Sequence, residues 1–526
     1  MLSHMIYKMD YGRRFLSLIV FLMATAFSCY GQQTSKWVYP SPKGALLYTS
    51  TERGDHIMDY SHAGYEGGGV ALPEVKTMKV VSPVPGEDDY TALIQRAIDE
   101  VSALPLENGF RGAVVLSEGD YPCQGSLQIS ADGVVLRGTL INGEKKSTIR
   151  MYGDKHTAIV LRRLAKVRNS TTLNNAVKVI DKYVPFGTYQ LHVSDASSFK
   201  AGDVICISKP VTKQWVEYMQ MHNMWRDGKH QTWIAVGSDL TTERTVLQVN
   251  GNTIILKEPL ADAYDAQFTD DNTTVSHAPS DNRLWHSGVE HLKIVSPDQA
   301  VSHRVAKYYG LRINGVDCWA NDLDLYETME SVGVTGKRIT LRNVNVIRKA
   351  LHQGPSKPAE FAPNGTQVLM DRCSVEGNNV WYVGIGAKVM GPIVMLNCRF
   401  IGNGCIEGHQ RWSTAFLLDN CELTGGGIDF INRGEMGSGH GWGTAWAVAW
   451  NSRAAFLINQ NPPGTMNWMI GCKGKRIIQR RPFSKEGPMI PEGEFDCYEE
   501  TVTPNSLYLT QLKNRLGVEA VHAIGY

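Results

Sequence analysis

The chain has 526 residues, 43% of them hydrophobic and 20% charged, with a formal net charge of +1. That balance excludes a nucleic-acid binder built on basic excess and a long acidic disordered tail, and it fits a globular protein of several domains or one long repetitive body. The 51 glycines against 22 prolines point to many tight turns.

Arg13 and Arg14 precede the apolar run Phe15–Phe27, which has the length of a signal core and is too short to span a bilayer. Residues 1–29 therefore read as an export signal. "AFSC" (26–29) resembles a lipoprotein box that would lipidate Cys29. The mature protein is expected outside the cytoplasm of a bacterium: secreted, periplasmic or anchored at the cell surface. No second apolar run is long enough for a membrane span.

Residues 30–86 read as an N-terminal extension. From 87, "EDDYTALIQRAIDEVSAL" opens with acids and sets Leu93, Ile94, Ala97, Ile98, Val101 and Leu104 at helical spacing, and the strands of "GAVVLSEGDYPCQGSLQI" follow. Residues 87–185 are expected to form a capping helix and the first coils of a solenoid, because an open solenoid end needs an apolar cover. Residues 186–265 read as an inserted β module, with hairpins in "LHVSDASSFKAGDVICIS" (191–208) and "TVLQVNGNTIILKEPL" (245–260). Between these hairpins, "WVEYMQMHNMWRDGKHQTW" (215–233) has two readings: a packed aromatic excursion, or a flap offering Trp225 and Arg226 to a sugar.

Residues 266–480 carry the repeat. "MDRCSVEGNN", "MLNCRFIGNG" and "LDNCELTGGG" place Cys373, Cys398 and Cys421 in one frame at spacings of 25 and 23 residues, and Val344 occupies that frame 29 residues upstream. Cysteine exchanging with valine marks a small buried hydrophobe, so free thiols are expected rather than disulfides. A strand-bearing period of 23–29 residues, with Gly or Asn at the corners, describes a right-handed parallel β-helix. Residues 481–526 read as a tail with a capping helix in "NSLYLTQLKNRLG" (505–517), which closes the C-terminal end or lies along the flank.

"DYSHAGYEGGG" (59–69), "EDDYTALIQRAID" (87–99) and the coils together resemble the exported right-handed β-helix proteins of the pectate-lyase-like superfamily. "HQRWSTAFLLDN" (409–420), "NRGEMGSGHGW" (432–442) and "NPPGTMNWMIGC" (461–472) resemble a subgroup that includes polysaccharide lyase family 29, enzymes cleaving chondroitin and related glycosaminoglycans. The resemblance covers most of residues 36–520. It implies an anionic polysaccharide as substrate and a carbon–oxygen lyase as the activity.

Elimination across C4–C5 of a uronate requires a neutralised carboxylate, a base for the C5 proton and an acid for the departing O4. Residues one period apart stack on neighbouring coils about 4.8 Å from each other. Lys388, Arg411 and Arg433, spaced by 23 and 22 residues, then form a cationic stripe. His409 shares a face with Arg411, and Tyr382 precedes Lys388 on its coil. The Gly-rich loop carries His440 and Trp442. These six (His409, Arg411, Arg433, His440, Lys388, Tyr382) are the candidate catalytic residues; Asn378, Asn379, Trp412, Trp442, Trp225 and Arg226 are the candidate substrate contacts. Each has a plain alternative: corner asparagines, packed rings, solvated charges. His352 is a weaker loop candidate.

No metal site is expected. The acidic stretches "ANDLDLYE" (320–327) and "TDDN" (269–272) share no coil frame with the stripe, so calcium is possible in principle but not favoured, and no cofactor is called for. A polygalacturonase-like hydrolase is the rival enzyme, since "GHG" (439–441) resembles a motif of that class. It requires carboxylates clustered on adjacent coils, whereas Asp371, Asp419, Glu422 and Asp429 read as scattered. A non-catalytic carbohydrate-binding β-helix is the third reading.

Overall fold

In a computed structural model of the chain, residues 33–164, 176–299, 306–350, 357–482 and 489–526 are described. Residues 34–526 form one unit. The export signal, Cys29 and His352 lie outside the described residues.

Twenty-seven strands join in one sheet wound into three parallel ladders. The first ladder runs from Thr77–Val81 through Gly112–Leu116, Val134–Gly138, Gly288–Val295 and Trp319–Tyr326, and ends at Glu494–Asp496. The second begins with Gly119–Cys123 and Ser147–Met151 and continues through Ser374–Glu376 and Arg399–Ile401. The third contains Leu127–Ile129, Thr157–Arg162, Tyr309–Val316, Ala359–Pro363, Trp381–Ile385 and Cys405–Gly408. The architecture is a parallel β-helix.

The corner between the first two ladders explains the repeat. His291, Asp322, Asn343, Arg372, Asn397, Asn420, Asn451 and Gly471 all have φ between 47° and 67°. Asparagine tolerates this left-handed turn better than most side chains, which is why it recurs there. The following residue turns inward: Leu292, Leu323, Val344, Cys373, Cys398, Cys421, Ser452 and Cys472 are all buried. The cysteines are free, as expected. Each of the four thiols donates to a carbonyl of the preceding coil at 3.3–3.4 Å (Leu341, Met370, Met395 and Ala449).

The helix Thr91–Ser102 buries Ile94, Ala97, Ile98 and Val101 in the same core as the first strands and so caps that end. Of the two placements expected for the second helix, it takes the flank. Leu507–Leu516 lies along the flank, where Leu507, Tyr508 and Leu512 pack with Leu369, Val394, Leu417 and Val448, which project outward from the first ladder. That flank is apolar on both faces because the helix and residues 57–63 cover it. The inward neighbours Met370, Met395, Leu418 and Ala449 belong to the other core.

The inserted sheet is wider than 186–265. The helical winding breaks after Arg162 and resumes at Leu284, and the six-stranded antiparallel sheet takes in Val177–Lys178 and Thr274–His277. These two strands are two and four residues long and carry no readable alternation. The coil boundaries move similarly: Thr77–Val81, read as extension, is the first rung, and Glu494–Asp496, read as tail, is the last. The module is pinned to the first ladder by buried charge. Lys209 Nζ donates to Asp262 Oδ2 at 2.9 Å, and that carboxylate also accepts the indole N–H groups of Trp412 (3.0 Å) and Trp446 (3.1 Å). Arg244, 1% exposed, donates Nη2 to the Gly391 carbonyl at 3.0 Å.

Candidate active site

The outward positions of the third ladder collect the reactive side chains. Glu407 and Asp429 are register partners on adjacent rungs, and Ile406 and Ile428 beside them point into the core. Cys405 Sγ, one Glu407 oxygen and one Asp429 oxygen lie within 4.8 Å of one another. Burial, and then the neighbouring Glu407, push the Asp429 carboxyl up to about 7, and its Oδ1 is inaccessible and unpartnered among the described residues.

Above this pair sit His409 and Arg433. The Arg433 guanidinium bonds Glu407 Oε1, and His409 Nδ1 lies 2.6 Å from the same oxygen. Arg433 Nη1 and His409 Nδ1 are also 2.6 Å apart. Nδ1 can serve only one of these two contacts: a proton there makes a charge-assisted bond to the Glu407 carboxylate, whereas a bare Nδ1 would accept from Arg433 but set its lone pair against that carboxylate. We therefore assign the proton to Nδ1, donated to Glu407, which leaves Nε2 as the free nitrogen. The Trp381 ring meets His409 edge-on with centroids 4.5 Å apart, and Lys357 and Arg433 approach that ring at 6.0 and 5.4 Å.

The Gly-rich loop brings in the second imidazole. Gly434, Gly437, Gly439 and Gly441 all adopt positive φ. At Gly441 a side chain would strike the Trp233 ring and Met221 sulfur of the inserted module, so glycine is required there for space as well as for conformation. His440 ends 4.9 Å from His409, centroid to centroid. Burial, followed by the charges of His409, Arg433 and Arg411, lowers its pKa to about 3, so His440 is neutral at physiological pH. Arg411 ties the loop down by donating Nη2 to Ser438 Oγ (2.7 Å) and Ser438 O (2.9 Å).

Several sequence expectations need correction. The three cations do not form a stripe. Lys388 N–H does bond the Arg411 carbonyl at 2.9 Å, but its ammonium turns away to Ser238 Oγ (2.9 Å) of the module, while Arg411 holds the loop and Arg433 is buried against Glu407. Tyr382 is a core residue: a bulge between Trp381 and Val383 turns it inward, where it stacks on Phe400 and accepts the Gly404 N–H. Trp381 takes the outward place. Asn379 is a corner residue with φ 55°, bonded to Asn403 Oδ1 of the next coil, and Asn378 precedes it on that corner. Trp412 and Trp442 are buried; Trp442 donates to the Met219 carbonyl. Trp215 and Trp233 pack on Trp412, so most of the 215–233 excursion is aromatic core. Its hairpin tip differs. Trp225 is 57% exposed, and Arg226 Nη1 reaches the Gly437 carbonyl at 3.5 Å, beside the Gly-rich loop.

The sequence reading missed the Glu407–Asp429 pair and treated Asp429 as isolated. The signal was present: the two are 22 residues apart, the same offset as Arg411 and Arg433. As a metal site the trio is poorly matched to calcium, which takes six to eight oxygens. Here one donor is a thiol held protonated by burial, and Arg433 already occupies Glu407.

The chain matches no protein-family model and no curated relative. Among solved structures it is similar to a tailspike of the Acinetobacter baumannii bacteriophage AP22 in complex with capsular saccharide (13% identity, 76% of this chain and 59% of that one, TM-score 0.32). It is also similar to a polygalacturonase of Erwinia carotovora (10% identity, 78% and 98%, TM-score 0.32). A third is the A-module of an Azotobacter vinelandii mannuronan C-5 epimerase (11% identity, 76% and 88%, TM-score 0.30).

Proposed function

We propose that this β-helix is an exported polysaccharide lyase that cleaves a uronic-acid-containing polysaccharide, a glycosaminoglycan such as chondroitin sulfate or hyaluronan being favoured, by β-elimination. The observation that carries the reading is the pair of imidazoles beside the third ladder, His409 backed by Glu407 and His440 on the Gly-rich loop, held neutral. Environments that push neighbouring titratable groups apart are how one site supplies distinct proton-handling roles.

In this reading His409 Nε2 takes the C5 proton, and Glu407 stabilises the imidazolium that results. The C5 electron pair forms the C4–C5 double bond as the C4–O4 bond breaks, and the imidazolium returns its proton to O4. Arg411 and the neutral ring of His440 face the substrate carboxylate and carry its growing negative charge. Trp381 offers a ring face or edge to the sugar, and Trp225 with Arg226 extends the wall of the groove from the module.

One observation favours the hydrolase alternative: Glu407 and Asp429 do lie on adjacent rungs. Against it, Glu407 is only 4% exposed and its Oε1 is occupied by Arg433 and His409, so the carboxylate acts on the histidine rather than on a sugar. The test is incubation of the mature protein with a panel of uronate polymers. New ultraviolet absorbance from an unsaturated uronate supports elimination; reducing ends without it would establish hydrolysis.

A further inference from the structure

A second cleft lies on a different face of the helix, on the outward side of the first ladder near its N-terminal end. Arg137, Glu290, Asn321 and Arg342 are register partners on four successive rungs, so their side chains form a polar row about 4.8 Å per step. The cleft above them, about 380 Å³, is also lined by His291, Leu72, Pro73 and Leu140. The last of these lies on a projecting hairpin, Leu140–Ile141 paired with Glu144–Lys145.

Within the row, part of the hydrogen-bonding capacity is consumed and part is open. Arg137 donates Nε to Glu290 Oε2 at 2.7 Å and Nη1 to the Val75 carbonyl at 2.9 Å, and Glu290 Oε1 accepts the Trp319 indole N–H at 2.7 Å, so the two charges offset each other. Arg342 uses only Nε, donated to Asn321 Oδ1 at 2.9 Å. Its two terminal amino groups have no hydrogen-bond partner among the described residues, and neither does Asn321 Nδ2. His291 is fixed through Nδ1 by Asp322 Oδ2 at 2.9 Å, which leaves a bare Nε2 open to accept from a sugar hydroxyl. His291 adopts φ 56° at the corner where asparagine recurs in later coils, a left-handed conformation that histidine, like asparagine, tolerates better than most residues. The excess is in donors, a guanidinium fork at its centre, and the exposed Glu74 on the rim is the only acid lining the cleft without a cation bonded to it among the described residues.

We propose that this cleft binds a planar oxyanion carried on a saccharide, a uronate carboxylate received by the Arg342 fork with Asn321 and His291 beside it, and so forms a second polysaccharide-binding site away from the third ladder. A guanidinium with both terminal amino groups open matches a carboxylate through two parallel hydrogen bonds. The apolar wall of Leu72, Pro73 and Leu140 suits the C–H face of a sugar ring. The proposal rests on the acidic-saccharide reading of the substrate and not on the chemistry assigned to His409.

The test reads Arg342 directly in the intact mature protein. Phenylglyoxal modifies accessible guanidinium groups, and peptide mass spectrometry reports the rate at each arginine. Glucuronate, and more strongly a glucuronate-containing oligosaccharide, is expected to slow labelling of Arg342 several-fold, while glucose at equal concentration leaves it unchanged. Arg342→Gln is expected to weaken retention of the protein on an immobilised uronate polymer while unsaturated-product turnover on a short oligosaccharide stays at the wild-type value. Equal protection by glucose, no protection by either sugar, or protection by inorganic sulfate without any by the oligosaccharide would each overturn the proposal. Failure of the lyase reading has a different signature: no unsaturated product from wild type, with protection at Arg342 intact.

Discussion

Arg433 is where the structure changes an expectation most sharply. As a groove-lining cation it would contribute under about 1 kcal/mol to folding, and Arg433→Ala would leave the melting temperature almost unchanged. Instead its guanidinium and the Glu407 carboxylate are each 5% exposed and bonded to each other. Removing the cation strands a buried carboxylate, and breaking a buried pair from one side costs about 3–5 kcal/mol. The expected result for Arg433→Met is a loss of that size in equilibrium unfolding by denaturant, together with loss of turnover. Arg433→Met combined with Glu407→Leu removes both charges and should recover most of the stability, because a buried pair and an apolar replacement of similar volume are close in free energy.

Turnover separates the two roles of the pair. The double variant deprives His409 of the carboxylate that fixes its tautomer and stabilises its charged form, so activity should stay down by about two to four orders of magnitude although the fold has returned. Denaturant melts and initial rates on the same four proteins (wild type, two singles and the double) complete the cycle. A single Arg433→Met variant as stable as wild type would refute the buried-pair argument. A double variant with wild-type turnover would refute the role given to Glu407.

Other outcomes follow from the same geometry. Arg411→Ala removes a partly exposed contact to the Gly-rich loop and should lower turnover by the roughly 3–4 kcal/mol typical of an electrostatic contact at a reacting centre, with a small change in melting temperature; retained turnover would remove Arg411 from the site. Turnover should survive chelator, and complete loss restored by calcium would show that the carboxylates bind a cation. Cys373, Cys398, Cys421 and Cys472 should react with a thiol reagent only after denaturation, without reductant. Burial raises the Asp419 carboxyl from 3.8 to about 7, so its folded form binds more protons than its unfolded form between those values. Its contribution to stability is full below pH 3.8 and is lost as pH rises through about 7. Asp419→Asn should therefore flatten that part of the stability–pH curve, and an unchanged slope would refute the assignment.

Much of the winding was legible because a solenoid repeats its corner. One left-handed residue followed by one buried small residue recurs along the ladder, so "DRC", "LNC" and "LDNC" betray the period without knowledge of any long-range contact. What repeats can be read; what departs from the repeat cannot. Tyr382 shows the limit. The bulge at Trp381–Val383 shifts side-chain parity by one, and in a ladder of period 2 a single inserted residue exchanges the inward and outward faces. The 22-residue offset was legible for Arg411 and Arg433, yet the chain leaves the ladder after Phe430, so the two guanidinium groups part company while Glu407 and Asp429, inside the ladder, stay in register.

The remaining part of the site depends on contact between segments far apart in sequence. The Gly-rich loop is held in place by the module: Trp233 Nε1 donates to the Trp442 carbonyl at 3.1 Å, and Trp442 Nε1 donates to the Met219 carbonyl at 3.0 Å. The module is in turn locked to the helix through Asp262, which is paired with Lys209 inside the module and accepts the indole N–H groups of Trp412 and Trp446 from the helix. His440 therefore reaches His409 only when a sheet inserted about two hundred residues earlier is docked. This ordering has a consequence that local sequence never displays. Lys209→Met leaves Asp262 as a buried carboxylate without its cation, at a cost of about 3–5 kcal/mol at the joint, and it should loosen the loop while the ladders keep their own core. Hydrogen exchange should rise across 215–237 and 432–442 and remain slow in Thr366–Asp371 and Met390–Leu396, with turnover falling in parallel. Uniform exchange throughout the chain would mean that module and helix unfold as one body, and that the joint does not control the site.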